Sequence, residues 1–205
     1  MKNKLSCNVI INSNTEKLTI NENINNTNAI TRTLLSSHFL DIYPVLQGDY
    51  EWCAAAATAA VTNYLTGASH TAESVTVYEL GSALDVGLTN SQINDFLADH
   101  DVYYIYSNSY RSFSQVTTNI NNGQPNMMKF ECTPDGWTGD TEYHLMTIRG
   151  YWDNDTTDYY SVLNPWYNYS ELITATSTGA NVTYNGGGWN MIWIQTWHSM
   201  TYNPW

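Results

Sequence analysis

Residues 44–67 read PVLQGDYEWCAAAATAAVTNYLTG. From Cys53 onward the run is built of alanine and other good helix formers, and Gly67 is the residue type that ends a helix in a left-handed turn. The composition predicts a helix over 53–65 with a cysteine as its first residue. A thiol placed there meets unpaired backbone N–H groups and the positive end of the macrodipole, and both favour the thiolate. The small residues behind it let the helix lie deep in a domain while its first turn opens on a cleft. Two readings follow: a buried helix that happens to contain a cysteine, or a nucleophile at a helix N-terminus.

The rest of the chain narrows the choice. Its 205 residues suffice for one domain with a core and an appended segment. Nineteen acidic residues oppose seven basic ones, so the surface repels phosphates and anionic lipid, which argues against nucleic-acid and membrane partners. Cys7, Cys53 and Cys132 are an odd count without a CxxC pair, which supports neither a zinc site nor a disulfide framework; a Cys7–Cys132 pair stays open. No apolar run is long enough to span a bilayer, and MKNKLSCNVIINS at the start is not an intact signal peptide. Secretion after loss of a leader and a cytoplasmic life both remain open.

Composition shifts near residue 40. Residues 1–40 are rich in Asn and Thr and carry four basic and two acidic residues; residues 41–205 carry three and seventeen. We expect an N-terminal arm or pro-segment over 1–40, with short added strands as a further reading of that piece, and one domain over 41–205. Within the latter, TAESVTVYELGSAL and TNSQINDFLADH predict helices, the second capped by Asn90 or Ser91. DVYYIYSN reads as a strand, and SFSQVTTNINNG as a short helix ending at Gly123. QPNMMKFEC, YHLMTIRGYW, DYYSVLNPW and WNMIWIQTW read as strands, with WDNDTTD a hairpin turn between the second and third. Helices first and an antiparallel sheet second make an α+β domain.

A nucleophilic cysteine needs a base. Of His38, His70, His100, His144 and His198, the one that opens a strand is His144, in HLMTIRGYW. The next strand ends in VLNPW, which places Asn164 twenty residues further on. An antiparallel hairpin returns the chain to its starting level, so the Asn164 side chain can accept the imidazole N–H and fix the ring's tautomer and direction. Asn203, in a second NPW, lacks this hairpin relation.

Taken together, Gln47 six residues before Cys53, Trp52 beside it, then His144 with a following Gly-Tyr, then Asn-Pro-Trp at 164–166, resemble the papain-like cysteine proteases. The likeness extends over roughly residues 41–170 and is nearer to short bacterial members, the staphopain and C39-like groups. It implies a helical subdomain led by the nucleophile helix, packed on an antiparallel β subdomain with the cleft between. It further implies Cys53 as nucleophile, His144 as base and later acid, Asn164 as the group orienting His144, and Gln47 with the Cys53 backbone N–H as the oxyanion hole. Trp166 would shield the His144–Asn164 bond; Trp52 and Trp166 are the candidates for contact with substrate, Trp52 also reading as core. Departures are Pro165 after the asparagine, Ala54 after the cysteine, and the large Tyr143 and Leu145 around the histidine.

The implied function is hydrolysis of peptide bonds through a thioester, without metal or organic cofactor. The partners expected are a polypeptide substrate and a pro-segment or protein inhibitor, with the chain working as a monomer. Paired with histidine, a thiol's pKa can fall from about 8.5 to about 3–4, so Cys53 and His144 are expected to rest as an ion pair. The same triad serves acyl transfer to an amine, and a retired site would serve only binding. Other features read blandly. Asp153, Asp155 and Asp158 lack the glycine and terminal glutamate of a calcium loop, Cys132 packs as a small hydrophobe, and NGGGWN at 185–190 is a turn between strands. The sequons at Asn25, Asn154, Asn168 and Asn181 are ordinary in so Asn-rich a chain.

Overall fold

The computed structural model describes residues 34–134, 141–154, 156–175, 183–186 and 189–204. The cysteine-led segment forms α1 (Cys53–Thr66), closed by Gly67 at φ 75°. Every residue from Ala54 to Thr62 is buried, because methyl-sized side chains let neighbouring elements approach the helix on all sides. Three more helices follow: α2 (Ala72–Leu80), α3 (Asn90–Asp99) and α4 (Phe113–Asn121). Each begins with a reciprocal capping box, Thr71 with Ser74, Thr89 with Gln92, and Ser112 with Gln115. The cap of α3 is thus Thr89 rather than the expected Asn90 or Ser91. Gln92 decides this, because only from the third helical position can its side chain reach back to the Thr89 N–H.

The strands are β1 (Leu34–Phe39), β2 (Val102–Ser107), β3 (Asn126–Pro134), β4 (Glu142–Asn154), β5 (Asp158–Leu163), β6 (Ser170–Ala175), β7 (Thr183–Gly186) and β8 (Trp189–Tyr202). They form one antiparallel sheet in the order β2-β8-β3-β4-β5-β6, with β1 added to β4 and β7 to β8. The expected turn between β4 and β5 forms around Asn154, whose side-chain oxygen accepts the Thr156 and Thr157 N–H groups at 3.0 and 2.9 Å. This is the α+β architecture the pattern predicts, helices packed on an antiparallel sheet.

Strand alternation feeds two cores. Met127 of β3 and Leu145 of β4 join α1, α2, α3 and Trp197 in one. Met128, Phe130, Met146 and Ile148 join Val116 and Ile120 of α4 and the inner residues of β5 in the other. Thr147 ties β4 to α1 by donating its hydroxyl to the Ala57 carbonyl at 3.4 Å. The chain divides into two units, Met1–Thr31 and Arg32–Trp205. β1 lies before the composition shift near residue 40, yet it pairs with β4 from Leu34↔Asn154 to Phe39↔Gly150. Cys7, Asn25, Asp155 and Asn181 lie outside the described residues. Cys132 is a buried free thiol in the second core.

Candidate active site

Cys53 is the first residue of α1, and this helix, unlike the other three, has no side-chain cap: Trp52 occupies the N-cap position. The first intrahelical bond is Ala56 N–H to Trp52 C=O at 2.8 Å, so the N–H groups before it have no partner within the helix. The thiol is half-buried and its Sγ lies 3.9 Å from the Tyr143 carbonyl oxygen. Backbone N–H groups of Leu145 and Ala54 favour its thiolate form.

Tyr143 and Leu145 flank His144, so the start of β4 lies against the start of α1. His144 is buried, and its Nε2 lies 2.9 Å from Asn164 Oδ1. The β4–β5 register explains the meeting. Thr147 pairs with Leu163, the last residue of β5, and Asn164 follows directly as the chain turns. Asn164 Nδ2 donates to Glu171 Oε2 at 3.1 Å, and Oδ1 also accepts the Trp166 N–H at 3.2 Å. A carboxylate only accepts, so Glu171 fixes which end of the amide is which. Oδ1 must then accept from His144, and neutral His144 carries its proton on Nε2 with Nδ1 left as a base. The Trp166 ring stacks on the imidazole, with centroids 4.3 Å apart and planes 25° apart. Glu171, on an open strand with no motif around it, was not foreseen from the sequence; the hydrogen bond reveals it.

Two cavities open beside these groups. The larger, about 260 Å³, is lined among others by Cys53, His144, Leu88, Ile93, Tyr143 and Lys129. The smaller, about 150 Å³, is lined among others by Cys53, His144, Gln47, Trp166, Cys132 and Met191. Gln47 is held by its backbone N–H on the Pro165 carbonyl at 3.1 Å and by Nε2 on the Tyr50 carbonyl at 2.6 Å. Among the described residues, the second Nε2 hydrogen has no acceptor. Trp52 lines neither cavity: it stacks on Tyr50, donates Nε1 to the Leu84 carbonyl at 2.7 Å and packs in the helical core. Its place is thus the core reading, and the structure does not bring it to the cleft.

Burial dominates the electrostatics. It pushes the Cys53 thiol up from the usual value, and it lowers His144 to about 4 against the help of Asn164. The expected resting ion pair is therefore opposed by desolvation, which favours a neutral thiol beside a neutral imidazole. The pair holds one proton in either arrangement, so both share the same pH window. Cys132 is held up to about 12, first by burial and then by the neighbouring Cys53 charge, and is inert as a nucleophile.

Residues 39–192 match the family described as Peptidase C39-like. A crystal structure from Bacillus anthracis, described as a candidate C39-like peptidase, aligns with a TM-score of 0.51 at 9% identity, covering 82% of this chain and 100% of that one. At that identity the likeness is one of fold. No curated protein matches the chain.

Proposed function

Because the chain belongs to the Peptidase C39-like family, we propose that it is a cysteine endopeptidase working through Cys53, His144 and Asn164. The observation that carries this reading is the 2.9 Å contact of His144 Nε2 with Asn164 Oδ1, on the wall of a cavity that Cys53 also lines. With Nε2–H committed to Asn164, Nδ1 is the atom that takes the thiol proton as Sγ bonds to the peptide carbonyl carbon. The carbonyl oxygen becomes an oxyanion, met by the Cys53 backbone N–H and the remaining Gln47 amide hydrogen; loss of one such donor typically costs roughly 10²–10³ in rate. The C–N bond then breaks, the proton passes from Nδ1 to the leaving amine, and a thioester remains. Water attacks it, giving a proton to Nδ1; the C–S bond breaks, the acid product leaves, and Nδ1 returns the proton to Cys53 Sγ. Asn164 and Trp166 hold the ring throughout, the first by direction and the second by its stacked face.

Incubation with casein, with and without an added amine nucleophile, tests the reading. Fragments formed by the native chain and not by a folded Cys53→Ala variant support it. No fragments from either would overturn it, and products capped by the amine in place of free acids would replace hydrolysis by acyl transfer.

A further inference from the structure

Among the described residues lining the two cavities, Lys129 is the one basic side chain apart from His144. It projects from β3 on the Met127 side, toward α3. Its Nζ donates to Asn90 Oδ1 at 2.9 Å and lies 4.5 Å from the centre of the Tyr143 ring. Asn90 is itself fixed, because its Nδ2 donates to the Tyr106 hydroxyl at 2.8 Å and to Gln195 Oε1 at 3.1 Å. The ammonium is half-buried, carries three donors, and its partners among the described residues are neutral. Glu51 and Glu142 share the cavity wall, but both are exposed and water screens them. Burial lowers the Lys129 pKa, and Cys53 on the same cavity wall opposes that lowering when it ionises, so the cation shares its cavity with the nucleophile.

A cation taken half out of water, held by a neutral clamp and facing a cavity at the nucleophile, is a site completed by an anion that accepts its hydrogen bonds. We infer that Lys129 is a specificity-determining residue that receives a carboxylate of the substrate, from an acidic side chain near the scissile bond or from a free peptide C-terminus. The inference rests on the peptidase reading of the same cleft.

Two measurements separate the one from the other. The first compares kcat/KM for quenched peptides that differ only in Glu or Gln within two residues of the scissile bond, each with a free or an amidated C-terminus. A preference of about tenfold for the carboxylate is expected, the size of one charge-assisted hydrogen bond. Sensitivity to Glu→Gln identifies the side chain as its source, and sensitivity to amidation the C-terminus. The preference falls to about one in Lys129→Met and in Asn90→Asp, which keeps the ammonium but gives it an internal carboxylate. The second measurement needs no turnover: the ratio of Cys53 alkylation rates by iodoacetate and iodoacetamide. The ratio cancels any effect of Lys129 on the thiolate itself, and it falls several-fold in both variants. A native chain that cleaves Glu and Gln, free and amidated peptides equally, with an alkylation ratio unmoved by the variants, overturns the inference and leaves the peptidase reading standing. A ratio that depends on Lys129 in a chain that cleaves no peptide overturns the peptidase reading and leaves the carboxylate site.

Discussion

The proton of His144 is placed by a relay that begins at Glu171, whose carboxylate orients the Asn164 amide, whose oxygen in turn takes the imidazole N–H. Under the proposed mechanism, Glu171→Ala leaves the Asn164 amide held by the Trp166 N–H on its oxygen alone and lowers kcat/KM by about one order of magnitude, the usual scale for loosening a group that orients a working side chain. Glu171→Gln, which can still accept through its carbonyl, retains most of the activity. Equal losses in the two variants, or none in either, would show that the relay does not position the ring. The candidate site was largely legible in the sequence: Cys53, His144 and Asn164 follow from a helix start, a strand start and a hairpin, each a local pattern. Glu171 and Lys129 were not, because each acts through another side chain, Asn164 in the turn between β5 and β6 and Asn90 at the start of α3. The ionisation of the pair was also beyond composition, since burial decides it.

At the level of elements, the helices were legible because each carries its own stop or cap, Gly67 after α1 and Thr71, Thr89 and Ser112 before the others. β1 was not, because LLSSHF has no periodicity of its own and becomes a strand only against β4. That pairing depends on one glycine. A β-carbon at Gly150 would sit 2.5 Å from Phe39 Cδ1 and 2.6 Å from the His38 carbonyl oxygen. The ring can turn away, but the backbone oxygen cannot. Gly150→Ala therefore destabilises the fold by about 1–3 kcal/mol, the range for forcing an extra carbon into a packed site, and speeds amide exchange in β1. An unchanged melting temperature with unchanged protection of the Leu40 amide, which donates to the Arg149 carbonyl beside Gly150, would refute this account of the β1–β4 contact.

For the molecule as a whole, buried titrating groups bound the pH range of stability. His144 is lowered from 6.5 to about 4, and His70 and His198 are lowered as well, burial being the first cause for each. The unfolded chain binds these protons on descending through 6.5, whereas folded His144 does not until about 4. Its contribution is thus fully present above 6.5 and lost as pH falls through that window. Melting temperatures should decline from pH 6.5 to 4, with a shallower decline in His144→Ala; a flat profile in the native chain would contradict the burial of these rings. The same single proton shared by Cys53 and His144 sets the most direct test of the proposed chemistry, the rate of iodoacetamide alkylation at Cys53 from pH 4 to 9. The account predicts a rate that reaches its plateau just above pH 4 and stays level to beyond the ordinary thiol value near about 8.5, with His144→Ala leaving only an alkaline rise. A native rate that climbs only toward alkaline pH and is indifferent to His144 would mean an ordinary thiol, and Cys53 would not be the nucleophile.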